Sequence, residues 1–271
     1  MTHVDAVIAL ADAAGAAILE VYRRADLGAS HKEDASPLTE ADLAAHRILV
    51  EGLQRLTPEL PVLSEESALP AWTERSGWQR YWLVDPLDGT KEFLKRNGEF
   101  TVNIALIDDG VPVLGVVGVP VLGLTYAGVR GSGAWRIDAS GRTSIRTRAM
   151  AGRGQAGAPV TVVASRSHGA DTVAQWLEAI ERRVGQVETR NMGSSLKLCL
   201  LAEGSADIYP RLAPTAEWDT AAAQAVVEAA GGLVLTEQLQ EMRYNAKAEL
   251  LNPHFFVIGD PEYPWREVLA H

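Results

Sequence analysis

An α+β first half followed by an α/β second half is the architecture that this sequence predicts, and three observations predict it. Short apolar segments joined by Gly-containing turns crowd residues 81–137, as in a block of antiparallel strands. After residue 158 strand-like and helix-like segments alternate, which suggests a sheet with helices on its faces. Between the two, the stretch from Ile137 to Pro159 is rich in Gly, Ala, Ser, Thr and Arg and holds no sustained period. The expected units are therefore 1–145 and 158–271, and a chain of 271 residues is long enough for both.

The elements follow in order. Val4, Val7, Ile8, Ala11, Ala14, Ile18 and Val21 recur at helical spacing and predict an amphipathic surface helix. This stretch carries Asp5 and Asp12, has no basic region before it and is too short to span a bilayer. Neither a secretory signal nor a transmembrane segment is expected. A polar stretch runs from Gly28 to Pro37. The next helix is expected from Thr39 to Leu56, with Thr39 as N-cap and Asp42 at capping-box spacing. Pro58 and Pro61 end it. A short strand at 61–63 then runs into Ser64-Glu65-Glu66-Ser67. The strand at 81–84 is expected to stop at Asp85-Pro86, and further strands fall at 100–107, 111–119, 122–129 and 133–137. In the second half strands are expected at 159–164, 185–190, 206–209, 232–235 and 254–258. Helices are expected at 170–183, 194–203 and 219–230.

Composition narrows the function. With 47% hydrophobic and 22% charged residues the chain reads as an ordinary soluble globular protein. Seven Trp suggest well-packed cores. A net charge of -10 argues against nonspecific binding of a nucleic-acid polymer. It does not argue against a small phosphorylated substrate, because divalent cations held by carboxylates invert the local charge. Cys199 is the single cysteine, so no intramolecular disulfide can form and a reducing, cytoplasmic compartment fits. Cys199 itself reads as a small buried apolar residue on a helix.

The chemistry points to Asp85-Pro86-Leu87-Asp88-Gly89-Thr90. Asp85 follows an apolar strand directly and Asp88 comes three residues later. Pro86 fixes one backbone angle, and Gly89 permits an unusual one. Such a stiff turn offers two carboxylates and the Leu87 carbonyl to a hard cation, and Mg²⁺ takes oxygen ligands of this kind. Glu65 and Glu66 end another expected strand. Asp219 opens a helix after Trp218, where a plain helix cap is the competing reading. Converging carboxylates would hold two cations that clamp the attacking and leaving oxygens of phosphoryl transfer. The Thr90 hydroxyl is placed to accept or relay a water's proton. The N–H groups of Gly89 and Thr90, opening a helix, would meet phosphate.

Taken together, Asp42, Glu65-Glu66, Asp85 to Thr90 and Trp218-Asp219-Thr220-Ala221-Ala222 resemble the signature of the lithium-sensitive, magnesium-dependent phosphatases. That superfamily includes inositol monophosphatases, fructose-1,6-bisphosphatases and 3'(2'),5'-bisphosphate nucleotidases. The run from Trp78 to Phe93 is similar to that of the bacterial nucleotidases of the CysQ type. Lys91-Glu92-Phe93 stands where inositol monophosphatases usually have a Thr-Asn-Phe type continuation. Arg96 to Ala105, Ser165-Arg166-Ser167-His168 and Gly193-Ser194-Ser195-Leu196-Lys197 extend the likeness. One departure is Ala223, where much of the superfamily has Gly.

The resemblance implies a layered αβαβα sugar-phosphatase-like fold and hydrolysis of adenosine 3',5'-bisphosphate to AMP and phosphate with two or three Mg²⁺ ions. It implies Glu65 and the Leu87 carbonyl on the first ion, Asp85 bridging, and Asp88 and Asp219 on the second. Thr90, held by Asp42, would activate the water, with Glu65 also in the catalytic set. A capping role for Asp42 competes with that one, and both together would require a loose cap. Substrate contacts are expected from Gly89, Thr90, Ser194, Ser195, Lys197, Arg166, His168 and Asp219. For Ser194 and Ser195 a plain helix cap is the alternative, and for Arg166 and His168 a solvated loop. Lithium inhibition and a monomer or homodimer are also implied. Association with the cytoplasmic face of a membrane is compatible with the resemblance, although no anchor is visible. Two rivals remain open: a sugar or inositol phosphatase of the same superfamily, and a catalytically silent metal or nucleotide-binding regulator.

Overall fold

The computed structural model describes residues 3–28, 30–31, 37–165 and 170–269. The first half holds α1 (Val4–Tyr22), the short strands β1 (Ser30–His31) and β2 (Pro37–Leu38), α2 (Glu40–Leu56), β3 (Val62–Ser64), α3 (Trp72–Arg75), β4 (Arg80–Asp88) and α4 (Thr90–Leu94). Then come β5 (Thr101–Asp108), β6 (Val111–Val119), β7 (Leu124–Val129), β8 (Gly133–Asp138) and β9 (Gly141–Ile145). The second half holds β10 (Val160–Ser165), α5 (Ala170–Val184), β11 (Val187–Met192), α6 (Leu196–Ala202), β12 (Ile208–Arg211), α7 (Glu217–Ala229), β13 (Leu233–Thr236), β14 (Phe255–Ile258) and α8 (Trp265–Leu269).

Strands β3 to β9 form a seven-stranded sheet in sequence order, antiparallel except for the parallel pair β3–β4. The second sheet has the order β11-β10-β12-β14-β13. In it β10 runs parallel to β11 and β12, while β14 pairs antiparallel with β12 and β13.

Alternation along the strands builds the layers, because neighbouring side chains leave opposite faces of a sheet. Trp82, Val84, Val102 and Ile104 pack with α1 and α2, whereas Tyr81, Leu83, Ala105 and Ile107 join a core with α6 and α7. Val163, Tyr209 and Val257 of the second sheet face that same core, and Val162, Ile208 and Phe256 turn away from it to meet α5 and α8. The result is the layered αβαβα order that the resemblance implied. The α6/α7 layer sits very close to the first sheet. A Cβ on Gly115 would lie 2.0 Å from the Ala222 carbonyl, so only glycine admits the helix there.

Several boundaries differ from expectation. β4 does not stop at Asp85-Pro86 but runs on to Asp88. The register shifts between Asp85 and Asp88, so three steps on β4 oppose two on β5. Such a bulge accommodates a proline that has no N–H for the ladder. β9 falls inside the stretch expected to be irregular; it is an exposed edge strand, so no apolar alternation marks it. The expected start of β7 is instead a 3₁₀ turn, Pro120–Leu122. The α3 helix, four residues long, carries too little pattern to be read. Residues 146–159 connect β9 to β10.

Within that connecting segment Arg148 is tied to the second sheet. Its Nε and Nη2 donate to the two carboxylate oxygens of fully buried Asp207, both at 2.6 Å, and the Thr161 N–H adds a bond at 2.7 Å. Removing one member of a buried pair strands the other's charge. Asp207→Ala is therefore expected to lower stability by about 3–5 kcal/mol, read from urea unfolding. A loss below about 1 kcal/mol, the range of an exposed pair, would show that solvent already serves Arg148. Among the described residues no helix is long and apolar enough to cross a membrane.

Candidate active site

Three chain segments carry acidic groups to one place. The end of β4 and its bulge present Asp85 and Asp88. The Leu87 N–H donates to Asp85 Oδ1 at 3.0 Å and so closes the turn over the buried carboxylate. The first turn of α7 brings Asp219. Asp85, Asp88 and Asp219 each offer a carboxylate oxygen, and these atoms lie within 4.8 Å of one another. Glu65 leaves the end of β3 beside β4, its N–H bonded to the Val84 carbonyl at 3.1 Å.

The chain turns at Gly89 through a left-handed conformation, φ 94°, and enters α4 with Thr90 as its first residue. A Cβ on Gly89 would lie 2.2 Å from Ser194 Oγ. Both the backbone angle and the space therefore demand glycine there.

Electrostatics follow from burial and like charge. Asp85 is pushed well above the usual carboxylate range by burial first, then by the charges of Glu65, Asp88 and Asp219. Asp219 rises to about 8, through burial and then Asp88. Burial lifts Asp88 to about 6, with the nearby Lys197 ammonium and the Ser195 N–H opposing it. The donor set is all oxygen and all hard, and its charges repel one another at close range. A hard divalent cation fits such a set, with Glu65, Asp85, Asp88, Asp219 and the Leu87 carbonyl as the groups that could hold it.

Asp42 and Asp219 each do two things. Asp42 Oδ2 accepts the Thr39 N–H at 2.7 Å and the Thr39 hydroxyl at 2.5 Å, while Oδ1 accepts the Thr90 hydroxyl at 3.3 Å. The cap is tight, not loose, because each oxygen serves a different partner. Burial raises the Asp42 carboxyl and the Thr39 bonds hold it down. Asp219 caps the Ala216 N–H at 3.0 Å and still belongs to the acidic cluster.

The other expected contacts divide. Lys197 is buried, and its Nζ donates to the Ser194 carbonyl at 2.6 Å and lies over the Tyr209 ring. Burial lowers it to about 8, although Asp88 pulls it upward. Ser194 Oγ lies 2.9 and 2.7 Å from the Asp88 and Glu99 carbonyl oxygens, which share its one proton. Ser195 lines the same cleft, and its buried hydroxyl lies 2.8 Å from both Thr101 Oγ1 and Asn103 Oδ1 of β5. Arg166 and His168 lie outside the described residues.

Three residues that sequence pattern does not single out, Met192, Tyr209 and Arg211, line the same cleft as Asp88, Lys197 and Asp219. Arg211 ends β12 and donates to the Ala213 and Pro214 carbonyls. It had a usable signal: it ends an apolar strand, as Asp85 follows 81–84.

The sequence model of the inositol monophosphatase family matches residues 1–260. The chain is similar to the 3'(2'),5'-bisphosphate nucleotidase CysQ of Salmonella typhimurium, 50% identical over 254 residues, which cover 93% of this chain and 98% of the relative. It is 48% identical to the enzyme of the same name from Escherichia coli K12, again over 93% and 98% of the two chains. Among solved structures it is similar to CysQ from Bacteroides thetaiotaomicron, a bacterial member of the inositol monophosphatase family, with a TM-score of 0.83 and 41% identity over 96% of this chain and 98% of that one.

Proposed function

Because the chain belongs to the inositol monophosphatase family, we propose that it is a magnesium-dependent 3'(2'),5'-bisphosphate nucleotidase, which hydrolyses adenosine 3',5'-bisphosphate to AMP and phosphate. The observation that carries this reading is the likeness to the Salmonella nucleotidase, 50% identical across 98% of that relative. The acidic cluster at the end of β4 supports it independently.

In this reading Glu65, the Leu87 carbonyl, Asp85, Asp88 and Asp219 would together hold the cations. When bound, the cations offset phosphate charge and make a water more acidic. The rest falls to the chain itself. Thr90 donates its proton to Asp42 Oδ1, which turns an oxygen lone pair of Thr90 outward to take a proton from the attacking water. Asp42, a buried carboxylate with a raised affinity for protons, sits behind Thr90 as the next acceptor. Lys197 and Arg211 bring positive charge to the same cleft as Asp219, where a second phosphate of the substrate would be met.

The test is product identity. With Mg²⁺ present, adenosine 3',5'-bisphosphate is expected to yield 5'-AMP and one equivalent of phosphate, resolved by chromatography. An excess of EDTA is expected to stop the reaction. Release of the 5'-phosphate instead, or turnover unchanged by EDTA, would refute the assignment.

A further inference from the structure

Three buried polar side chains behind Asp88 have no part in the chemistry above. Thr101 and Asn103 on β5 are wholly buried, and Ser195 before α6 is 2% exposed. Ser195 Oγ lies 2.8 Å from Thr101 Oγ1 and 2.8 Å from Asn103 Oδ1. Thr101 Oγ1 lies 3.4 Å from Asp88 Oδ2, and the Ser195 N–H donates to the same oxygen at 2.7 Å. Burying polar groups is costly unless each is paired, so a core alone would be better served here by Val and Ala.

We infer that Ser195 and Thr101 are positioning residues for the cation site. They hold Asp88 by Oδ2 and thereby turn Oδ1 toward the cation. The inference rests on Asp88 being a cation ligand, as proposed above.

Proton counting sharpens it. Two hydroxyl protons cannot close three oxygen–oxygen contacts: Asn103 to Ser195, Ser195 to Thr101, and Thr101 to Asp88. Asn103 Nδ2 meanwhile is buried without a partner. An amide keeps its shape when oxygen and nitrogen exchange places. With Asn103 so turned, its N–H donates to Ser195, Ser195 donates to Thr101, and Thr101 donates to Asp88. Every donor in that chain then points toward the negative charge, as a charge-assisted bond requires.

The arrangement also spans both halves. Thr101 and Asn103 belong to the first sheet, and Ser195 follows β11 of the second. The turn bearing Ser195 is fixed by the Gly193 N–H, which donates to Glu99 Oε2 at 2.7 Å, and by Ser194 Oγ on the Asp88 carbonyl. Asp88 takes its orientation only where the two sheets meet.

The test uses the full chain and Mg²⁺ alone, without substrate. The midpoint of Mg²⁺-dependent thermal stabilisation is compared for wild type, Thr101→Val, Ser195→Ala and Thr101→Ser. Loss of a hydrogen bond to a charged group predicts a midpoint about 10-fold higher for Thr101→Val and somewhat less for Ser195→Ala, which keeps its N–H. Thr101→Ser retains the hydroxyl and is expected within about twofold of wild type, a rescue that loss of packing would not give. If Thr101→Val does not fold, Ser195→Ala and Thr101→Ser still decide. Wild-type midpoints in Thr101→Val and Ser195→Ala would overturn the inference, whatever their activity. A wild type that binds Mg²⁺ but cleaves no nucleotide bisphosphate would defeat the proposed function and leave this comparison valid. A wild type that Mg²⁺ does not stabilise would defeat both.

Discussion

Asp85→Asn is expected to abolish Mg²⁺-dependent phosphatase activity while leaving a chain that, without metal, is at least as stable as wild type. Asp85 is fully buried and its ionised form is opposed by burial and by Glu65, Asp88 and Asp219. The sign follows from linkage. A carboxyl raised above its unfolded value contributes stability that is present below the unfolded pKa and lost as pH rises toward the folded pKa. Asparagine has no such charge, and its amide oxygen can still accept the Leu87 N–H. With a chelator at neutral pH the variant should therefore melt at the wild-type temperature or a few degrees above it, about 2–4 °C for each kcal/mol relieved in a chain of this size. Activity should fall about 10³-fold or more, equivalent to about 4 kcal/mol of transition-state stabilisation. Calorimetric Mg²⁺ titration, activity and melting in EDTA together check this. An active Asp85→Asn enzyme would refute the assignment of Asp85. A variant that melts well below wild type in EDTA would mean that the residue holds the fold and not only the cation.

The second large effect is expected at the Asp42–Thr90 pair. Thr90→Val keeps the shape of the side chain and removes the hydroxyl. It should lower kcat about 10²–10⁴-fold, the usual range for a proton-transfer group, with little change in KM. Asp42→Asn should act through the same step. Its amide oxygen is needed by the Thr39 N–H, which leaves an NH₂ facing Thr90 where an acceptor stood. The Thr90 proton must then turn outward and occupy the direction from which water would donate. The double variant should be no slower than the slower single one, because the two groups serve one proton transfer. Asp42→Asn keeps an oxygen for the Thr39 N–H, so neither it nor Thr90→Val should lose more than about 1 kcal/mol of stability. Additive losses in kcat would show that the pair does not act as a unit.

The acidic cluster was legible because the residues that build it sit at points of punctuation. Glu65 and Asp85 each follow an apolar run. Pro86 and Gly89 mark a turn, and Asp219 opens a helix after Trp218. The change from an antiparallel block to alternating strands and helices was legible in the pattern along the chain, and the layered order came from the resemblance. What stayed hidden depends on contacts between distant segments. The β4 bulge is set by pairing with β5, and nothing in Asp85-Pro86 alone distinguishes a bulge from a stop. The contacts of the Ser195 hydroxyl with Thr101 and Asn103 form only when the second half docks on the first. β9 carries polar residues because solvent reaches it at the sheet edge, so its composition matched a linker. Arg211 ends an apolar strand, but it joins the cleft only through the packing of β12 between β10 and β14.

The central claim is that a hard-cation site in this chain serves a nucleotide bisphosphate. The most direct measurement is kcat/KM at saturating Mg²⁺ for adenosine 3',5'-bisphosphate, for an inositol monophosphate and for fructose 1,6-bisphosphate. The nucleotide is expected to lead by about 10-fold or more, a difference of about 1.4 kcal/mol in transition-state binding. An equal lead for the inositol phosphate or the sugar bisphosphate would contradict it.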